Sequence, residues 1–182
     1  TPGAEPAAPS GYAAAVVLDT WATVSRPDLR AGEEALRRWL AVAALARPGE
    51  EGGTVLVVGE PSDRQVQAVL RIDPAGYAER ELAERRATGF PPAAKLVTIE
   101  GELSLLHQVV ETFQAPPGVD VRGPFEVPAG RPDEPAAGRV TLRSPLAQGA
   151  DLVAAVRAML SQRVARKAEG ALRVRVDPQV VG

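Results

Sequence analysis

Cysteine is absent from the 182 residues, which excludes disulfides and Cys-ligated zinc or iron–sulfur sites within this stretch. Histidine occurs once, as His107. That leaves no His cluster for a metal and removes most Ser-His-Asp chemistry. Aromatic residues make up 4%, so few rings are available to stack on bases. No apolar run approaches the ~18 residues that span a bilayer. The opening Thr1-Pro2-Gly3-Ala4-Glu5 has neither the charged nor the apolar region of a signal peptide, and a cytosolic protein is the default expectation. Neither charge sign dominates: 21 Lys and Arg stand against 23 Asp and Glu, a net −2. A nucleic-acid binder of this composition needs a local basic face rather than a basic whole.

What is present suits a folded chain. Hydrophobic residues reach 45% and charged residues 24%, a globular composition, and the length allows one ordinary domain or two small ones. Residues 13–19 are an apolar run ending in Asp19, the pattern of a parallel strand covered on both faces. Ser25-Arg26-Pro27-Asp28 signals a helix start. Leu29, Leu36, Leu40 and Ala43 then recur at near-helical spacing, and the helix is expected over 29–47, ending near Pro48-Gly49. Glu33 and Arg37 can pair on its wet face. Residues 54–59 form a second apolar strand, and 63–70 a short helix with Val66, Val69 and Leu70 inward. This β-α-β-α order is that of a parallel α/β sheet. Two strands alone cannot bury both faces, so either this part leans on the next domain or, the favoured reading, the rest of the sheet lies outside the sequence.

Asp73-Pro74 opens another helix. Gly89 suits a left-handed end residue, and Pro91-Pro92 prevents continuation. Beyond it the grammar changes. A strand at 95–101 precedes a helix at 103–113, with Leu106, Val109, Val110 and Phe113 on one stripe. A strand at 119–122 ends at Gly123-Pro124, a Pro-rich loop covers 128–138, and a strand follows at 139–143. A long helix over 151–168 and a closing strand at 172–177 complete the chain. The order is β-α-β-β-α-β, the split βαβ or ferredoxin-like sandwich, an α+β fold with both helices on one side of an antiparallel sheet. The predicted division is a partial α/β lobe over 1–72, a connecting helix and stop over 73–92, and the ferredoxin-like domain over 93–182.

Arg122, Arg139, Arg143, Arg173 and Arg175 alternate with apolar residues on the second-part strands. If the apolar residues face the helices, the arginines face out, where they can neutralise phosphates. The simpler account is a solvated face ion-paired to Asp120 or Glu126. Residues 91–182 hold 11 basic and 10 acidic side chains, a modest excess. Gly138 and Val140 flank Arg139, so an aromatic platform for base stacking is not expected there. Lys95, Arg85 and Arg86 are further candidates. The latter two either complement a helix C-terminus or, with Phe90, form a basic corner. Asp19 reads as a turn or cap carboxylate, because no G-x-x-x-x-G-K-[ST] loop accompanies it. His107 reads as an exposed helix residue, and Arg163, Arg166 and Lys167 as a wet helix end.

Tyr77 through Pro92, above all Ala83-Glu84-Arg85-Arg86 followed by Gly89-Phe90-Pro91-Pro92, resembles the primosomal protein N′ (PriA) family of bacterial replication-restart helicases. Arg122-Gly123-Pro124 is similar to a Gly-Pro strand end of that family, and Val176-Asp177-Pro178 to its terminal Val-Asp-Pro. The collinear set covers the whole chain. The resemblance implies a C-terminal fragment of a longer protein, comprising the end of the second RecA-like helicase lobe and the C-terminal domain. It implies single-stranded or branched DNA, the single-strand-binding protein and other primosome proteins as partners. The family uses ATP, as a 3′-5′ DNA helicase, and zinc, held in an insertion upstream of the matched region, so neither cofactor is expected in this stretch. The family's contact with the single-strand-binding protein tail maps to residues 145–151, which carry no basic residue here. Its last helicase motif, Gln-Val-x-Gly-Arg-x-Gly-Arg, falls on residues 41–48 in an ungapped continuation. Leu45 and Pro48 then occupy the positions of two arginines that sense the ATP γ-phosphate. Losing such an arginine costs ~10³–10⁵ in rate, so no ATPase activity and no catalysis are expected. A functional helicase, with Arg47 as a shifted substitute, and a purely structural assembly domain are the alternatives.

Overall fold

The two N-terminal apolar runs become strands β1 (Ala14–Val17) and β2 (Thr54–Val57), parallel and in register from Ala14 opposite Thr54 to Val17 opposite Val57. The computed structural model describes residues 5–127 and 136–180. Three helices belong with these strands: α1 (Thr20–Val24), α2 (Ala31–Ala43) and α3 (Arg64–Arg71). Val17 packs with Ala35, Leu36 and Trp39 of α2 and with Val66, Ala68 and Val69 of α3. The opposite sheet face, carrying Val16 and Leu56, is exposed.

Local details depart from expectation. α1 has no helix-start signature: Asp19 precedes it at φ 50° with no side-chain cap. α2 ends at Ala43 rather than near 47. Ala46 forms a parallel bridge with Tyr12, and the Arg47 amide donates to the Tyr12 carbonyl at 2.9 Å. Backbone pairing with the incoming chain thus replaces the last helical turn. Leu70 is 62% exposed, not inward, because Val66, Ala68 and Val69 already take the buried face of α3. On α2, Arg37 donates to Glu34, as does Arg38.

Helix α4 (Pro74–Thr88) follows, and Gly89 after it takes φ 69°, the left-handed conformation expected of it. Then come β3 (Ala94–Glu102), α5 (Leu103–Thr112), β4 (Asp120–Val127), β5 (Ala137–Pro145), α6 (Gly149–Ala165) and β6 (Arg173–Val176). Their sheet has the order β4-β5-β3-β6, with every neighbouring pair antiparallel. Val97 and Ile99 of β3 and Val140 and Leu142 of β5 form one face. They share a core with Leu106 of α5 and with Leu152 and Val156 of α6. The chain is therefore mixed α/β, with an antiparallel sheet in its second half. Most of the Pro-rich loop expected at 128–138 lies outside the described residues, and β5 already begins at Ala137.

Contacts divide the chain into two compact units, one running to Glu81 and including Gln179, the other spanning Leu82–Pro178. The division falls within α4, not at the ends of the connecting segment read at 73–92. Gln179 belongs to the first unit because its carbonyl accepts from the Leu29 amide at 2.8 Å. Among the described residues, no helix is long and apolar enough to cross a membrane.

Candidate nucleic-acid interface

Directly opposed residues of an antiparallel pair point to the same face, so register determines what the face of the second sheet away from α5 and α6 displays, one end of which meets the end of α4 at Arg143. Across the strands it reads in rows. Phe125, Arg139, Glu100 and Arg173 form one row, and Arg122, Thr141, Thr98 and Arg175 the next. Asp120, Arg143 and Leu96 form the third. Glu102, opposite Ala137, closes the far end. All five sheet arginines predicted from alternation therefore lie on one face.

They are not bare cations. Glu100 accepts from Arg139 Nε at 3.1 Å, with Arg139 Nη2 also 2.9 Å away, and from Arg175 Nη1 at 3.1 Å. The Arg139 and Glu100 side chains are only 16% and 21% exposed. Asp120 accepts from Arg122 Nε at 2.8 Å and from Arg143 Nη2 at 3.0 Å, and Arg143 Nη1 also donates to the Thr88 carbonyl. The hydrogen bond from Arg122, then the fields of both arginines, hold the Asp120 carboxyl below its ordinary range. Each carboxylate is shared by two guanidinium groups, so neither cluster is neutral. Arg173 has no hydrogen bond or ion pair among the described residues. Five arginines face three carboxylates, and positive charge remains.

Several expectations need correcting. Glu126 is not a partner of this face: it lies opposite Gly138, whose Cβ position points at Leu103 and Leu106. Glu100, unrecognised in the sequence, takes that role. The strand expected to end at Gly123-Pro124 continues to Val127 through a register shift between Arg122 and Phe125. Three residue steps on β4 match two on β5, so side-chain alternation inverts beyond the bulge. Phe125, 60% exposed, thus stands opposite Arg139 on the arginine face. The absence of an aromatic beside Arg139 holds along the strand but not across it. Nothing local in the sequence signals this except Gly123-Pro124, an unusual pair inside a strand.

The remaining candidates separate. Arg85 is 8% exposed, and its Nη1 donates to the Pro91 carbonyl at 2.8 Å. It tethers the end of α4 to the Pro-rich stop instead of presenting charge to solvent. Arg86 is exposed, with no hydrogen bond or ion pair among the described residues. Lys95, opposite Ser144 and beside Gly149, points to the helix-covered face and pairs with Asp177. His107 is exposed on α5. Arg163 donates to the Glu169 carbonyl at 2.7 Å beyond the end of α6. Among the described residues, no group of three potential metal ligands converges.

Residues 86–179 match the family model described as primosomal protein N C-terminal domain. The "Probable replication restart protein PriA" of Mycobacterium leprae (strain TN) is 41% identical over 188 residues, covering 100% of this chain and 29% of that protein. The protein of the same name from Mycobacterium tuberculosis (strain CDC 1551 / Oshkosh) is 41% identical over 195 residues, covering 100% of this chain and 30% of that protein. The chain thus spans about three tenths of the length of these curated relatives.

Proposed function

From the premise that this chain belongs to the primosomal protein N (PriA) family, we propose that its second unit is a nucleic-acid-binding and assembly module of a replication restart protein. The observation that carries this reading is the face of the β4-β5-β3-β6 sheet away from α5 and α6. There five arginines from three strands, β4, β5 and β6, converge and outnumber the carboxylates. Single-stranded or branched DNA is the ligand class. The single-strand-binding protein and other primosome proteins are the partner class. In this reading the order β3-α5-β4-β5-α6-β6 is the split βαβ, ferredoxin-like sandwich. β1, α2 and β2 are then the end of a RecA-like helicase lobe, and the exposed Val16 and Leu56 face is one that the flanking helices of a wider parallel α/β sheet cover.

No phosphoryl-transfer chemistry is assigned to this stretch. Leu45 cannot stabilise charge on a transferred phosphoryl group. Arg47, the shifted substitute, donates through Nε to the Gly11 carbonyl at 3.3 Å. ATP and zinc would belong to other parts of a longer protein. An ATPase assay on the longer protein with forked DNA tests this point, and DNA-stimulated turnover would overturn it.

Fluorescence anisotropy with a labelled oligonucleotide tests the binding reading on the 182-residue chain. Affinity is expected to fall with salt at a log–log slope of about −2 for three neutralised phosphates on a single strand. Absence of salt-dependent binding would leave the second reading, an assembly domain without nucleic-acid contact. That reading is favoured by the pairing of four of the five arginines with Glu100 or Asp120.

A further inference from the structure

We propose that the sheet face away from α5 and α6 takes single-stranded nucleic acid with one base stacked on Phe125, a specific ligand mode that rests on the nucleic-acid reading above. The argument starts from an oddity of burial. Val121 lies opposite Leu142, on the core side of β4. Unbroken alternation would send Phe125 to that same side, where its ring would gain burial. The bulge turns it outward instead, to 60% exposure. That turn demands a particular backbone. Gly123 has φ 100°, and a Cβ there would sit 2.6 Å from the Arg139 carbonyl oxygen and 2.9 Å from the Phe125 nitrogen. Bulges commonly re-aim a side chain beside a functional surface. A bulge that only protected an edge strand would serve equally well with any residue at 125.

The surroundings select the ligand. Phe125 shares its row with Arg139 and Arg173, and Arg122 and Arg175 lie in the adjacent row. An exposed ring within a positive patch is the pairing that single-strand binders use: the ring takes a base face and the cations take phosphates. A duplex hides its base faces inside the stack, so it meets only the cations. Acidic side chains of a polypeptide also meet the cations but offer no extended π-face to the ring, which every nucleobase does.

The test uses the 182-residue chain, a short labelled oligothymidylate and a duplex of matched length, each titrated at two salt concentrations. Phe125→Ala is expected to weaken oligothymidylate binding roughly 5- to 150-fold. The salt slope and the duplex affinity should not change, because no phosphate contact is lost. Phe125→Trp is expected to retain binding and, with oligothymidylate only, to show indole quenching beyond that of the wild type, which already carries Trp21 and Trp39. Circular dichroism verifies that both variants fold. If the wild type binds with normal salt dependence and Phe125→Ala matches it, the stacking proposal fails and the nucleic-acid reading stands. Equal losses on duplex and single strand, or a Phe125→Trp with no quenching beyond that of the wild type, also overturn it. If the wild type binds neither nucleic acid but captures a polyglutamate peptide, both readings fall.

Discussion

A carboxylate held between two guanidinium groups gives up its proton at lower pH than a solvated one. Glu34 on α2 is lowered from 4.5 to about 2, chiefly by hydrogen bonds from Arg37 and Arg38 and against the pull of desolvation. Asp120 is lowered by Arg122 first and Arg143 after it. Both folded-state values lie below the unfolded ones. Their contribution to stability is therefore complete above the unfolded carboxylate range, near 4, and is lost as pH falls through the folded values. Carboxyl ¹³C NMR should give Glu34 a midpoint near 2 and Asp120 one below the ordinary aspartate value. Thermal stability should decline progressively on acidification below about pH 4. A Glu34 midpoint near 4.5 would show that the pair does not persist in solution. Arg37, Arg122 and Arg143 were legible from alternation and spacing, whereas Arg38 was not. Their partners were legible only in part, since a strand's sequence does not say which residue of another strand lies opposite. Asp120 was foreseen, whereas Glu100 was not.

Strand β4 shows how one backbone position controls a whole element. Gly123 at φ 100° lets the strand bulge and continue, where the sequence reads as a stop. A Gly123→Ala variant places Cβ in a region that L side chains rarely adopt, against the Arg139 carbonyl. It should lower stability by about 1–3 kcal/mol, seen as a reduced urea midpoint at unchanged m. Gly49→Ala, with nothing within 4 Å of the new Cβ, should stay within ~0.5 kcal/mol and serves as the control. Equal effects of the two substitutions would remove the bulge from its assigned role. The existence and type of the core elements were legible because their apolar periods are long: Val97 and Ile99 alternate on β3, and Leu106 and Val109 recur on α5. The end of α2 was not, because its last expected turn is displaced by a bridge between Ala46 and Tyr12, residues far apart in sequence.

At the level of the chain, the first unit stands out for what it leaves uncovered. Val16 and Leu56 sit side by side on β1 and β2, 52% and 55% exposed, with Leu18, Val58 and Trp21 also exposed. Parallel strands are ordinarily covered on both faces, and a contiguous apolar patch invites association. Val16→Lys combined with Leu56→Lys should reduce binding of an apolar dye such as ANS severalfold. The urea midpoint should move by the equivalent of less than about 1 kcal/mol, because neither side chain belongs to the core. A collapse of stability would show that this face is packed within the chain. The patch was anticipated from the count of strands: two cannot bury both of their faces.

Composition and periodicity alone were enough to exclude metal clusters built on cysteine or histidine, to order most strands and helices along the chain though not α1, and to place five arginines on one side of the strands. Those are properties of single elements, and local alternation carries them. Long-range pairing settled the rest. It decided that Arg139 and Arg175 meet on Glu100 and that a bulge brings Phe125 opposite Arg139. Strand register and chain return juxtapose residues tens of positions apart, Glu100 and Arg175 among them at a separation of 75. A one-residue slip exchanges the two faces of a strand, so no reading confined to neighbours along the sequence could have found them.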